Sequence, residues 1–126
     1  MKDYSYIGKN VVRIDGREKI SGAAIYGDDI DFGANLLHAE LVSSTQAHAI
    51  IKSIDITAAL KVKGVYKIFT GKDFPFKFGL YMKDRYVFAQ DKVRFVGEQI
   101  AAVVARNPGA AKRAAALVKV EYEPLP

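Results

Sequence analysis

Residues 90–105 read Gln90-Asp91-Lys92-Val93-Arg94-Phe95-Val96-Gly97-Glu98-Gln99-Ile100-Ala101-Ala102-Val103-Val104-Ala105. From Gln99 onward the run carries no charge and a single polar side chain. A short apolar run with two adjacent valines has the length and composition of a strand buried on both faces. The residues before it differ, because Lys92, Arg94 and Glu98 break up Val93, Phe95 and Val96. Gly97 inside such a pattern predicts a bulge or a positive φ. The stretch is therefore read as one bent strand, or as two strands meeting at Gly97-Glu98.

On the C-terminal side, Asn107-Pro108-Gly109 supplies an N-cap and a proline for the first helical turn. A helix is predicted over residues 109–118, with Ala111, Ala114, Ala115 and Val118 on one face. Residues 119–123 alternate Val120 and Tyr122 with charged neighbours, which predicts a strand with one wet face. Strand, helix and strand together predict a β-α-β unit with parallel pairing.

On the N-terminal side, residues 85–89 are read as a strand and residues 71–84 as a long loop. Gly71, Pro75 and Gly79 punctuate this loop, and Phe74, Phe76, Phe78 and Tyr81 are read as exposed there among lysines. Long ordered loops are disproportionately functional. Residues 35–43, 50–56 and 65–70 are read as strands. A short helix follows Asp55 and ends at Gly64. Residues 1–34 hold five glycines and little periodicity, which predicts an extended arm of the same domain. The fold class is α/β (α+β): a mixed sheet with two short crossover helices, a core over 35–126 and the arm over 1–34.

The chain has 126 residues, no cysteine and a formal net charge of +5. Nine basic against three acidic side chains fall between residues 61 and 94, so the positive excess is central. Without cysteine there are no disulfides, thiolate zinc sites or protein-held iron–sulfur clusters, which accords with a cytoplasmic location. No run approaches the about 20 apolar residues of a membrane span, so no membrane role is expected. No signal peptide is visible in the first ten residues.

Chemistry is sparse. His38 and His48 stand ten residues apart, which matches no helical ligand spacing, so no metal site is expected. Asp28, Asp29 and Asp31 lack the glycine and glutamate of a calcium loop and are read as a solvated turn. Ser43, Ser44 and Thr45 lack a nucleophile elbow. Gly71-Lys72 does not complete a phosphate loop, and no dinucleotide fingerprint is present. No catalytic residue is assigned. The basic, aromatic middle suggests base stacking, but no recognition motif accompanies it, so a protein interface is preferred over nucleic acid.

The ordered series Ile7-Gly8-Lys9-Asn10, Arg13-Ile14-Asp15, Lys19-Ile20-Ser21-Gly22 and Ala24 to Ile30 resembles the start of a molybdenum-binding subunit. The family is xanthine dehydrogenase/aldehyde oxidase. Ser43 to Ala49, Ile54 to Ala59, Phe88 to Glu98, Ala101 to Ala105 and Val120 to Pro126 continue the likeness. Within it, Asp91, Lys92, Val93, Gly97 and Glu98 form a structural motif. Glu98-Gln99 replaces a common Glu-Pro.

The resemblance implies the N-terminal α/β-hammerhead domain of a molybdenum hydroxylase, which scaffolds a molybdopterin-binding domain or subunit. In such enzymes a molybdenum–pterin centre hydroxylates an aldehyde or N-heterocycle with oxygen from water. Electrons leave through [2Fe-2S] clusters to FAD, carried on other domains or subunits. The resemblance implies that this chain binds none of these cofactors and is inactive alone. It stops where the hammerhead stops, as an excised domain or as a freestanding subunit that docks on a molybdopterin subunit. Gly79-Leu80-Tyr81 resembles a Gly-Leu-Phe stretch that lines the substrate funnel of animal members, with one extra residue before Tyr86 and Tyr for Phe. Leu80 and Tyr81 are thus the substrate-funnel candidates.

Overall fold

β7, Gln99–Ala105, is the middle strand of a three-stranded sheet, with β1 (His38–Ser43) on one edge and β3 (Val65–Thr70) on the other. Because side chains alternate across a strand, β7 supplies two cores. Ala101 and Val103 pack with Ala59, Ile68 and Ala114. Ile100, pointing the other way, packs with Ala49, Ala89 and Val93. Ile100, Val93 and Val103 are fully buried, and each such burial contributes about 1.5–3 kcal/mol. The uncharged run is therefore a strand enclosed on both sides.

The computed structural model describes residues 4–126. They divide into two compact units, one ending at Asn35 and one covering Leu36–Pro126. The first contains a short helix, α1 (Gly16–Ser21), where sequence predicted only an arm with turns. A Lys19–Asp15 ion pair one helical turn apart supports it, and Gly22 ends it at φ 74°. α1 buries none of its residues.

The second unit adds β2 (Ala49–Asp55), α2 (Thr57–Leu60), β4 (Lys77–Phe78), β5 (Arg85–Tyr86), β6 (Lys92–Val93), α3 (Pro108–Ala115) and β8 (Lys119–Pro124). β2 is the centre of a second sheet, in the order β6-β2-β8, and β4 and β5 form a separate hairpin. Asn107 Oδ1 accepts the Ala110 N–H at 2.8 Å, so the predicted cap starts α3. Ala110, Ala111 and Ala114 are buried. Their small side chains admit close approach: a Cβ on Gly64, whose φ is 98°, would lie 3.5 Å from that of Ala110. Asp55 Oδ1 accepts the Thr57 N–H at 2.9 Å and starts α2.

One expectation is corrected. β7 and β8 do not pair in parallel, and every described ladder is antiparallel. Both edges of β7 are already occupied by β1 and β3. β8, with its single wet face, finds the equally half-exposed β2 instead, setting Ile54 against Val120 and Ile50 against Glu123. Both helices thus run between sheets: α2 leads from β2 to β3, and α3 from β7 to β8. The class of a small-sheet α/β domain stands, with antiparallel ladders in place of a mixed sheet.

The opening stretch resolves as two strands. β6 belongs to one sheet and β7 to the other, and the turn over 95–97 carries the chain across. Gly97 has φ 93°, a region that L side chains enter with strain. Its N–H donates to Ser44 O, and the Ser44 N–H donates to Glu98 O, both at 2.8 Å. Opposite this point the β1–β7 register shifts between Val42 and Ser43.

Candidate docking and access surface

The segment after β3 is built from a fixed base and a bare tip. Asp73 accepts the Thr70 N–H at 2.8 Å and closes a tight turn over Gly71–Asp73. The Thr70 bonds hold the Asp73 carboxyl below its ordinary value. Gln90 Nε2 donates to the carbonyls of Gly71 (2.8 Å) and Phe74 (3.2 Å), tying the turn to the chain before β6. A Cβ on Gly71 would meet Ala89 O at 2.8 Å, so the approach itself requires glycine.

Phe74 is not an exposed aromatic. Its ring lies 5.6 Å from that of Phe69 and 5.8 Å from that of Phe88, with Phe76 edge-on at 6.2 Å. It was expected to stay free because lysines surround it. Phe69 lies five residues before it at the end of β3 and Phe88 fourteen after it, and the fold brings both rings onto it. Such ring clusters add about 0.5–1.5 kcal/mol per pair beyond burial.

Beyond Phe76 the chain forms the β4–β5 hairpin, pairing Lys77 with Tyr86 and Phe78 with Arg85. At Gly79 a Cβ would fall 1.8 Å from Met82 O, so the tip turn excludes any side chain there. Leu80 and Tyr81 follow, 90% and 95% exposed, with Met82 also uncovered. Both funnel candidates sit together at this tip.

The five motif residues gather elsewhere, where β6 turns into β7. Asp91 O accepts the Ile51 N–H at 2.8 Å, Lys92 pairs with Ile50, and buried Val93 pairs with Ala49. Glu98 bonds back to the Arg94 N–H and guanidinium. This leaves Phe95 and Val96 exposed at the turn. A cavity of about 460 Å³ separates this turn from the hairpin and is lined by residues of both, including Phe78, Arg85, Phe95 and Glu98. A second depression under Leu80 and Tyr81 shares Phe78, Asp84 and Arg85 with it. Sequence reading missed Gln90 and Arg85. A glutamine beside the apolar pair Phe88-Ala89 signalled the first, and nothing local signalled the second.

Among the described residues no group of three or more His, Cys, Asp or Glu side chains is placed to hold a metal. His48 Nδ1 lies 2.9 Å from Pro126 O, and Asp29 and Asp31 accept the backbone N–H groups of Tyr26 and Gly33. No described helix is long and apolar enough to cross a membrane.

The fold and surface define a small α/β domain that presents uncovered apolar side chains. Residues 21–126 match the family described as aldehyde oxidase and xanthine dehydrogenase, a/b hammerhead domain, and the chain belongs to that family. It is 37% identical to the nicotinate dehydrogenase large molybdopterin subunit of Eubacterium barkeri, covering 98% of this chain and 29% of that protein. It is 44% identical to xanthine dehydrogenase/oxidase of Rattus norvegicus over 95% of this chain and 9% of that one.

Among solved structures, a Cu,Mo-CO dehydrogenase superposes with a TM-score of 0.86 at 34% identity, over 94% of this chain and 16% of that one. Aldehyde oxidoreductase from Desulfovibrio gigas superposes at 0.79 and 34% identity, over 90% and 14%. The chain thus spans less than a third of the length of each of these proteins.

Proposed function

We propose that this domain packs against a molybdopterin-binding domain or subunit and that its β4–β5 hairpin shapes access to the substrate path. The parent protein is then a molybdenum-dependent oxidoreductase of the cytoplasm, which hydroxylates an aldehyde or N-heterocycle with oxygen from water. Its molybdenum–pterin, iron–sulfur and FAD groups are carried by other domains or subunits. Family membership and the short span against the relatives support the docking role.

The observation that carries the access role is the hairpin tip. Leu80 and Tyr81 are almost wholly exposed on a turn whose geometry is fixed by Gly79 and whose base is clamped by Gln90. Large apolar side chains held rigidly in the open are suited to lie against something outside the domain. In the assembled enzyme, Tyr81→Ala should change the relative kcat/KM of bulky against small substrates by about tenfold. Unchanged substrate ratios would remove Tyr81 from the access path.

A further inference from the structure

The cavity between the hairpin and the β6–β7 turn has a chemistry of its own. At about 460 Å³ it falls within the usual size of a small-molecule site, roughly 300–1,000 Å³. Phe78, Tyr86 and Phe95 are among its lining residues; Phe78 projects from the same face of the hairpin as Arg85, and Tyr86 from the opposite face with Lys77. Its charges are unequal. Arg94 is neutralised by Glu98. The Lys77 ammonium lies 5.3 Å from the Tyr86 ring centre and is in no ion pair among the described residues. Arg85 has no ion pair or side-chain hydrogen bond among the described residues, and it stands directly across the hairpin from Phe78. Asp84 is the one carboxylate on the wall outside an ion pair, so the uncompensated charge is positive.

An unpartnered guanidinium fork beside aromatic walls matches a carboxylate carried on a flat ring. The fork takes both oxygens while the rings cover the faces. A neutral analogue of the same shape forfeits the charged pair. We infer that this cavity binds planar aromatic carboxylates, with Arg85 holding the carboxylate and Phe78 and Phe95 enclosing the ring. The cavity shares Arg85 and Phe78 with the depression under Leu80 and Tyr81. Its ligand is therefore a substrate or product of the parent reaction; this last step rests on the access reading proposed above.

The test is NMR titration of the 126-residue chain with benzoate and, as the neutral isostere, benzamide, at low ionic strength. Benzoate should shift resonances of residues 77–86 and 94–99 saturably and at least tenfold more tightly than benzamide. Arg85→Gln should abolish that preference while leaving the spectrum of the rest of the fold unchanged, and Arg85→Lys should restore part of it. Phe95→Ala should weaken both ligands. Equal binding of the two ligands, no saturable shifts, or an intact preference in Arg85→Gln would overturn the assignment. These readings do not depend on the access role. If benzoate binds through Arg85 but Tyr81→Ala leaves all substrate ratios of the assembled enzyme unchanged, the cavity stands and the access reading fails.

Discussion

The Glu98 carboxylate accepts the Arg94 backbone N–H and also lies 3.3 Å from the Arg94 guanidinium, so one side chain closes the turn between the two sheets. Glu98 is 17% exposed while Arg94 is half exposed. The backbone bond closes the turn, whereas the ion pair joins two side chains at the surface. Exposed ion pairs contribute little, whereas losing the acceptor that fixes a turn N–H costs more. Glu98→Ala should therefore destabilise the chain by about 1–2 kcal/mol, and Arg94→Ala by less than about 1 kcal/mol. Urea midpoints of the two variants measure this; equal losses would mean that the ion pair, not the turn, is the stabilising element.

Gly97 separates backbone strain from crowding. Its φ is 93°, yet a Cβ there would meet nothing within 4 Å. Any penalty on substitution must then come from the dihedral. Gly97→Val should cost more than about 1 kcal/mol, and Gly97→Asn distinctly less, because asparagine tolerates positive φ. Denaturation midpoints that fall equally for both variants would contradict a dihedral origin.

Asp73 gives the pH dependence a direction. Hydrogen bonds from the Thr70 backbone and hydroxyl, with Lys67 nearby, hold its folded pKa below 3.8. A carboxylate depressed on folding contributes stability that is fully present above its unfolded pKa. That contribution is lost as pH falls through the folded value. The stability gap between the native chain and Asp73→Asn should thus be constant from neutral pH to about pH 5 and narrow below about pH 4. Urea midpoints across that range measure it, and a gap that widens on acidification would contradict the assignment.

How much of this was legible depends on the range of each interaction. β7, α3 and its Asn107 cap are written in local order: the strand and the cap stand as predicted, while the helix ends at Ala115, three residues short of the predicted 109–118, leaving Val118 outside it. The turn at Gly97 was legible because glycine between apolar residues has few other reasons. Strand partnership was not. A strand, helix, strand order sets how far the chain can reach, but not which edges are already taken, and β1 and β3 fill both sides of β7. Phe74 failed for a related reason. Lys72, Asp73 and Lys77 surround it within the segment, while the rings of Phe69 and Phe88 that pack on it come from β3 and from the chain before β6.

That last contrast yields a paired test within one segment. Phe74 and Tyr81 are aromatic residues seven positions apart. Phe74 packs on Phe69 and Phe88, whereas Tyr81 is 95% exposed. Large-to-small changes cost transfer energy plus a cavity only where a side chain is enclosed. Phe74→Ala should lower the stability of the chain by about 2–3 kcal/mol, less than a fully buried ring because Phe74 is half-buried. Tyr81→Ala should move it by less than about 0.5 kcal/mol. Phe74→Ala should also loosen the carbonyl of residue 74 that Gln90 holds, raising amide exchange over 71–76 before the rest of the unit. The two variants therefore divide the segment into a base that stabilises the domain and a tip that does not. A Tyr81→Ala chain as destabilised as Phe74→Ala would place the tyrosine in the core, and its role at the access path would fall with it.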